Sequence, residues 1–221
     1  MVDRFITSES VTQGHPDKLC DQISDAVLDA YLSQDPNAHV AVETCAFPNK
    51  IIVFGEIGST AKCDIPAIVR EVVQSIGYTE HSLGFALDDK AIEVYVHEQS
   101  SEINQGVDRR NIAQDVLDTV GAGDQGIMFG YASDETPELM PLPIQLAHAL
   151  SFRLTQVRKD NIIPHLRPDG KTQVTIRYNE GQAVEIDTIV ISTQHDDNIN
   201  REELAPLIRD FVIAPVLDQY C

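Results

Sequence analysis

The chain has 221 residues, 43% hydrophobic and 23% charged, enough to bury a core in one or two domains of ordinary globular composition. Sixteen Lys and Arg against 35 Asp and Glu give a net charge of −19, which argues against a nucleic-acid or anionic-membrane partner. No apolar run approaches the ~20 residues that span a bilayer, and residues 1–7 lack the apolar core of a signal peptide. Cys20, Cys45, Cys63 and Cys221 form no metal-ligand spacing, so the expectation is a cytoplasmic protein with reduced thiols.

Leu19, Ile23, Ala26, Val27, Ala30 and Tyr31 recur at helical spacing and predict an amphipathic helix over 16–34. Asp21, Asp25 and Asp29 fall on another face, and Pro16 suits the first turn, where its missing N–H is no loss. His15 and Asp17 then sit at the positive end of the helix, among N–H groups without helical partners, which is a natural anion site. A histidine donor, a carboxylate able to hold a hard cation and Lys18 at one helix start suit a metal-bound polyphosphate. The same spacing also suits an Asp17 that only complements the helix dipole beside a surface histidine.

Residues 39–46 and 51–57 read as strands around the turn signal Phe47-Pro48-Asn49-Lys50. With a two- or four-residue loop, Glu43 faces Phe54 and Glu56 lies diagonal to Glu43 on the same face, roughly 7–8 Å away. Two carboxylates on otherwise apolar strands repel unless a monovalent metal or a substrate ammonium lies near; on a wet face they are ordinary solvated charges. A three-residue loop would shift the register by one and split the pair across the sheet. Asp64-Ile65-Pro66 opens a second helix, with Ile68, Val69, Val72, Val73 and Ile76 at helical spacing and Gly77 as its C-cap.

Residues 91–98 alternate as a strand, and Gln99 leaves its end. The polar stretch 100–110, with Gly106 inside it, suits either a mobile loop over a site or a solvated connector. Gly121-Ala122-Gly123-Asp124-Gln125-Gly126 lets backbone approach a ligand closely, although glycine clusters are also ordinary turns. It is neither a Walker loop nor a dinucleotide fingerprint, because no strand–glycine–helix context fits.

Ile144, Ala147, Leu150, Leu154 and Val157 predict a helix over 143–158. A hairpin follows, 172–178 and 183–193, around a turn at Asn179-Glu180-Gly181; residues 201–220 are helical in tendency, interrupted by Pro206 and Pro215. Arg167-Pro168-Asp169-Gly170-Lys171 is expected as a turn leading into that hairpin. There Lys171 can meet a phosphate and Asp169 can bond a ribose or orient the lysine, or the two form a weak surface ion pair. Helix, hairpin and helix therefore occur twice, at 16–34, 39–57 and 65–76 and again at 143–158, 172–193 and 201–213. The fold class expected is α+β: repeated helix–hairpin–helix modules with mostly antiparallel sheets covered by helices.

Ser8-Glu9-Ser10-Val11 followed by Gly14-His15-Pro16-Asp17-Lys18 resembles the opening signature of the S-adenosylmethionine synthetase (methionine adenosyltransferase) family. Gly121 to Gly126, Met128-Phe129-Gly130-Tyr131-Ala132, Leu166 to Lys171 and Ser192-Thr193-Gln194-His195 follow in the family's order. The resemblance implies an N-terminal module over 1–100, a central module over 112–221 and a C-terminal module that is missing. It implies formation of S-adenosylmethionine from ATP and L-methionine, with Mg²⁺ and K⁺ as cofactors and hydrolysis of the triphosphate to phosphate and diphosphate. His15 and Lys171 are the implied catalytic groups. His15, Asp124, Asp169, Gly170 and Lys171 are implied at ATP, Glu56 and Gln99 at methionine, Asp17 at Mg²⁺ and Glu43 at K⁺. The segment from Gln99 to Arg109 resembles a gating loop, and the family's sites are shared in a homodimer or a dimer of dimers. Because the family places further basic groups beyond the position of Tyr220, the 221-residue chain alone is expected to be inactive. The alternative from a different class is a non-catalytic fragment or binding subunit that keeps the dimer surface and part of the ligand site.

Overall fold

A computed structural model describes residues 3–79, 84–85, 91–98 and 126–220. Gln99, the stretch 100–110 and the glycine-rich stretch up to Gln125, Asp124 included, lie outside the described residues. Two compact units emerge: Met1–Leu19, Val73–Ala86 and Tyr131–Cys221 form one, and Cys20–Val72 with Leu87–Gly130 forms the other. Among the described residues no helix is long and apolar enough to cross a membrane.

Helix α1 (Pro16–Leu32) buries Leu19, Ile23 and Val27 fully and leaves Asp21, Asp25 and Asp29 exposed, as the 3.6-residue period requires. Helix α2 (Ile65–Ile76) starts where the Ala67 N–H donates to Asp64 Oδ1 at 3.0 Å, and it buries Val69, Val73 and Ile76. Gly77, at φ +116°, ends it, and the Tyr78 N–H reaches back to the Val73 carbonyl at 3.2 Å.

In the second unit, β2 (His39–Phe47), β3 (Lys50–Gly58) and β4 (Ile92–Glu98) form a sheet in that order. Pro48-Asn49 is a two-residue loop with Asn49 at φ +58°, so Glu43 faces Phe54 and Ala41 faces Glu56. This is the register that puts both glutamates on one face. Ile51, Val53 and Ile57 point the other way and are buried. β4 runs parallel to β3, so this sheet is mixed rather than antiparallel throughout, within an α+β fold.

The first unit holds the sheet β1-β5-β6, made of β1 (Arg4–Val11), β5 (Leu166–Asn179) and β6 (Gln182–His195). β1 escapes sequence reading because two of its inward positions are Ser8 and Ser10, leaving no apolar alternation to detect. It pairs with β5 along its whole length, from Arg4 opposite Tyr178 to Val11 opposite Lys171. Three expectations are corrected here. Arg167 to Lys171 lies inside β5 rather than in a turn before it, because pairing with β6, at Leu166 and again from Gly170, extends the strand back to Leu166. The hairpin turn is Glu180-Gly181, both at positive φ (+51° and +82°), while Asn179 pairs with Gln182. Pro206 and Pro215 do not interrupt the C-terminal helix, which runs as α4 (Arg201–Ile208), a π-helical turn (Arg209–Ile213) and α5 (Ala214–Tyr220). Pro215 offers no N–H to the Phe211 carbonyl one turn back, and Arg153 Nε donates to that carbonyl at 2.9 Å.

Helix α3 (Leu142–Lys159) closes this unit's core. Its Leu146, Ala147, Leu150, Leu154 and Val157 pack with Val174, Ile176 and Tyr178 of β5 and with Leu204, Ile208, Val212 and Val216 of the C-terminal helix.

Candidate active site

The turn between β1 and α1 lies directly on the Pro168–Gly170 stretch of β5. The Thr12 N–H donates to the Gly170 carbonyl at 2.9 Å, and the buried Thr12 hydroxyl donates to the Pro168 carbonyl at 2.8 Å, 156 residues away in sequence. Gly14 packs so closely that a Cβ there would stand 2.4 Å from the Pro168 carbonyl carbon. Only glycine permits that approach of one backbone to another. Along β5, Pro168, Gly170 and Thr172 face inward and Asp169 and Lys171 face the other way, on the strand that carries the His15 turn.

His15 is fixed by its own helix start. The Asp17 N–H donates to His15 Nδ1 at 3.2 Å, while the nearest Asp17 carboxylate oxygen is 3.7 Å from that nitrogen, outside hydrogen-bond range. Nδ1 is therefore an acceptor, which in the neutral form of the ring leaves the N–H on Nε2, where it can be donated. The Asp17 side chain is 85% exposed, so its oxygens remain open to a hydrated cation. Burial raises the Asp169 carboxyl above its ordinary range, opposed by His15 and the Gly170 N–H. Lys171 Nζ meets Glu9 Oε2 at 2.6 Å across the β1–β5 pair. His15, Asp17, Asp169, Gly170 and Lys171 are thus collected on one unit from two motifs far apart in the chain.

Behind this turn lie groups that the motifs do not mark. The Tyr78 hydroxyl donates to the Gly14 carbonyl at 2.5 Å, and Arg158 Nη2 donates to the Ile76 carbonyl at 2.7 Å. Burial raises the Tyr78 hydroxyl's pKa and, with the Asp169 charge nearby, keeps it a donor; burial also lowers the Arg158 guanidinium. On the other side of β1, Ser10 Oγ bonds His148 Nδ1 at 2.8 Å and Ser151 Oγ at 3.0 Å, tying the strand to α3. Burial, with Lys18 nearby, lowers the His148 pKa.

In the second unit Glu43 and Glu56 share the exposed face of the β2–β3 hairpin with Phe54, and His97 stands opposite Glu56 on β4. Lys50 on this face is paired with Glu93, which also accepts from the Tyr95 hydroxyl at 3.1 Å. Among the described residues no group of three or more His, Cys, Asp or Glu is arranged to hold a metal ion. Glu43 and Glu56 therefore supply two carboxylates rather than a closed cation cage.

Two family profiles match the chain: the S-adenosylmethionine synthetase N-terminal domain over residues 3–101 and the S-adenosylmethionine synthetase central domain over residues 119–221. The chain belongs to the S-adenosylmethionine synthetase family. Relatives named S-adenosylmethionine synthase occur in Bifidobacterium adolescentis, 53% identical over 97% of this chain, and in Corynebacterium kroppenstedtii, 52% identical over 98%. A third, from Clostridium tetani, is 51% identical over 97%. The matches cover 55%, 56% and 56% of those relatives, so the chain spans about half the length of the synthases it matches. Within this chain, His15, Asp17, Asp169, Gly170 and Lys171 fall on one unit and Glu43 and Glu56 on one hairpin face, while Gln99 and Asp124 lie outside the described residues. Sequence reasoning missed Thr12, Glu9, Tyr78 and Arg158. Thr12 and Glu9 stand inside the opening motif and could have been flagged as polar neighbours; Tyr78 and Arg158 carry no local signal.

Proposed function

We propose that this chain carries the N-terminal and central parts, over 1–100 and 112–221, of a methionine adenosyltransferase. The repeated helix–hairpin–helix organisation is part of that proposal, supported by the chain order α1-β2-β3-α2 and α3-β5-β6-α4. The reaction joins ATP and L-methionine. The methionine sulfur attacks the ribose C5′, the triphosphate leaves, and it is then hydrolysed to phosphate and diphosphate. Such chemistry needs positioning and positive charge on the leaving oxygens, with no protein nucleophile.

The observation that carries this reading is the packing of the His15 turn on Pro168–Gly170, which joins the two motifs and sets His15 near the Asp169 carboxyl. His15 donates from Nε2 and Lys171 from Nζ to triphosphate oxygens, an exchange that releases Lys171 from Glu9. Asp169, Gly170 and Asp124 contact the nucleotide. Asp17, a hard and exposed oxygen ligand, fits Mg²⁺, which when bound supplies positive charge to the triphosphate. Glu43 serves K⁺, and Glu56 with Gln99 serves methionine. Because Glu43 and Glu56 stand open to solvent, a second copy completing the site in a homodimer or dimer of dimers fits this reading. The free thiols of Cys20, Cys45 and Cys63 fit the cytoplasm.

The test compares the 221-residue chain with the same chain extended by the remaining length of the Bifidobacterium adolescentis relative. Both are supplied with ATP, L-methionine, Mg²⁺ and K⁺. S-adenosylmethionine is expected from the extended chain, with kcat lowered about 10²–10³-fold by His15→Ala, which removes a charge-stabilising donor. No product from the extended chain, or an unchanged rate in His15→Ala, overturns the assignment.

A further inference from the structure

The peptide plane joining Gly14 to His15 sets the direction in which the His15 ring leaves the chain, because that unit is rigid. It is held at both ends. On one side the His15 N–H donates to the Thr12 carbonyl at 3.1 Å; on the other the Gly14 carbonyl accepts from the Tyr78 hydroxyl at 2.5 Å. Thr12 is local and belongs to the motif, whereas Tyr78 comes from the stretch after α2 and is 2% exposed. Its ring is fixed edge-on against Phe85, with centroids 5.1 Å apart and planes at 71°, so the hydroxyl has one place to point. The stretch before Tyr78 is fixed in turn. Arg158 Nη2 donates to the Ile76 carbonyl, one of the unsatisfied carbonyls at the negative end of α2, and its Nη1 stands 2.7 Å from where a Gly77 Cβ would be. A chain of directional contacts therefore runs from α3 through Arg158, Ile76, Gly77 and Tyr78 to the Gly14 carbonyl.

We infer that Tyr78 and Arg158 are positioning residues that orient the Gly14–His15 peptide and so hold the His15 ring with Nδ1 on the Asp17 N–H and Nε2–H free to donate. That an incoming triphosphate uses this donor rests on the proposed function; the orientation itself does not. Tyr78→Phe keeps the ring and its contact with Phe85 and deletes only the hydroxyl. Losing one hydrogen bond of about 1 kcal/mol lets the turn open roughly five- to tenfold more often.

The test uses the 221-residue chain without nucleotide, reading the His15 tautomer from long-range ¹⁵N–¹H spectra and the His15 amide by hydrogen exchange. Tyr78→Phe is expected to shift the ring away from a pure Nε2–H tautomer and to speed amide exchange about five- to tenfold. Arg158→Ala is expected to move both signals the same way, and Arg158→Lys, which keeps a donor toward Ile76, to restore them. Tyr178→Phe is the control: it deletes an equally short tyrosine bond, 2.5 Å to Glu135, elsewhere on the same unit, and is expected to leave His15 unchanged. Parent-like His15 signals in Tyr78→Phe, or equal changes in Tyr178→Phe, overturn the inference. Should Tyr78→Phe not fold, the contrast between Arg158→Ala and Arg158→Lys decides it alone. A chain that forms no S-adenosylmethionine after extension leaves these readouts intact, so the two failures are told apart.

Discussion

The His15 turn and the Glu43–Glu56 face handle charge in opposite ways. At the turn, polar groups are partly or wholly withdrawn from water and each is met by a directional bond: Thr12 to Pro168, Tyr78 to Gly14, the Asp17 N–H to His15. Withdrawal shifts ionisation, as at Asp169 and Tyr78. On the hairpin face the two glutamates stand in water on a sheet face that holds them in register. Solvent screens their repulsion. One region is ordered by bonds within its own fold; the other leaves its carboxylates to solvent.

That contrast is broken most severely by Gly14→Ala. The added carbon meets backbone at 2.4 Å, which cannot yield as a side chain would, so a loss of about 3 kcal/mol is expected in urea unfolding. A loss under about 0.5 kcal/mol, the size expected of a surface substitution, would mean that the turn is not held against β5. Thr12→Val comes next. It keeps the volume but removes the donor to the Pro168 carbonyl, and about 1–2 kcal/mol should be lost because that acceptor is buried.

Acid titration sharpens the comparison through two aspartates of opposite sign. Asp35 accepts from Thr60 N–H, the Ser59 and Thr60 hydroxyls and Asn37 N–H, and its pKa falls from 3.8 to about 2. Its contribution to stability is present above the unfolded value and lost as pH falls through about 2. Asp169 is raised, so its contribution is present below the ordinary carboxylate value and lost as pH rises through its folded pKa. Asp35→Asn should therefore flatten the stability curve at its acid end, and Asp169→Asn should flatten the decline above it. Thermal midpoints measured across that range check both; identical curves for the two variants would contradict the assignment. The smallest effect belongs to Glu43→Gln with Glu56→Gln. Relieving a screened, solvent-exposed repulsion should change stability by no more than about 0.5 kcal/mol, with any gain shrinking as salt is added.

Local pattern in the sequence was enough to determine α1, α2 and α3, because each places apolar side chains at helical spacing between recognisable ends. It narrowed the β2–β3 register to two choices, and the two-residue loop at Pro48-Asn49 in the structure selects the one that puts Glu43 and Glu56 on one face. Motif order reached the family and named His15, Asp17, Asp169 and Lys171 before any fold was known. Only tertiary structure could decide what surrounds them. β1 has little apolar alternation of its own and becomes a strand because β5 offers it a complete ladder of partners. Pairing with β6 at Leu166 and again from Gly170 draws Arg167–Lys171 out of a turn and into a strand, with Asp169 and Lys171 on one side of it. Tyr78 bonds Gly14 in the His15 turn across 64 residues of chain, and Arg158 bonds Ile76, just before Tyr78, across 82. Bonds over that separation follow from how helices and sheet pack, and no local periodicity encodes them.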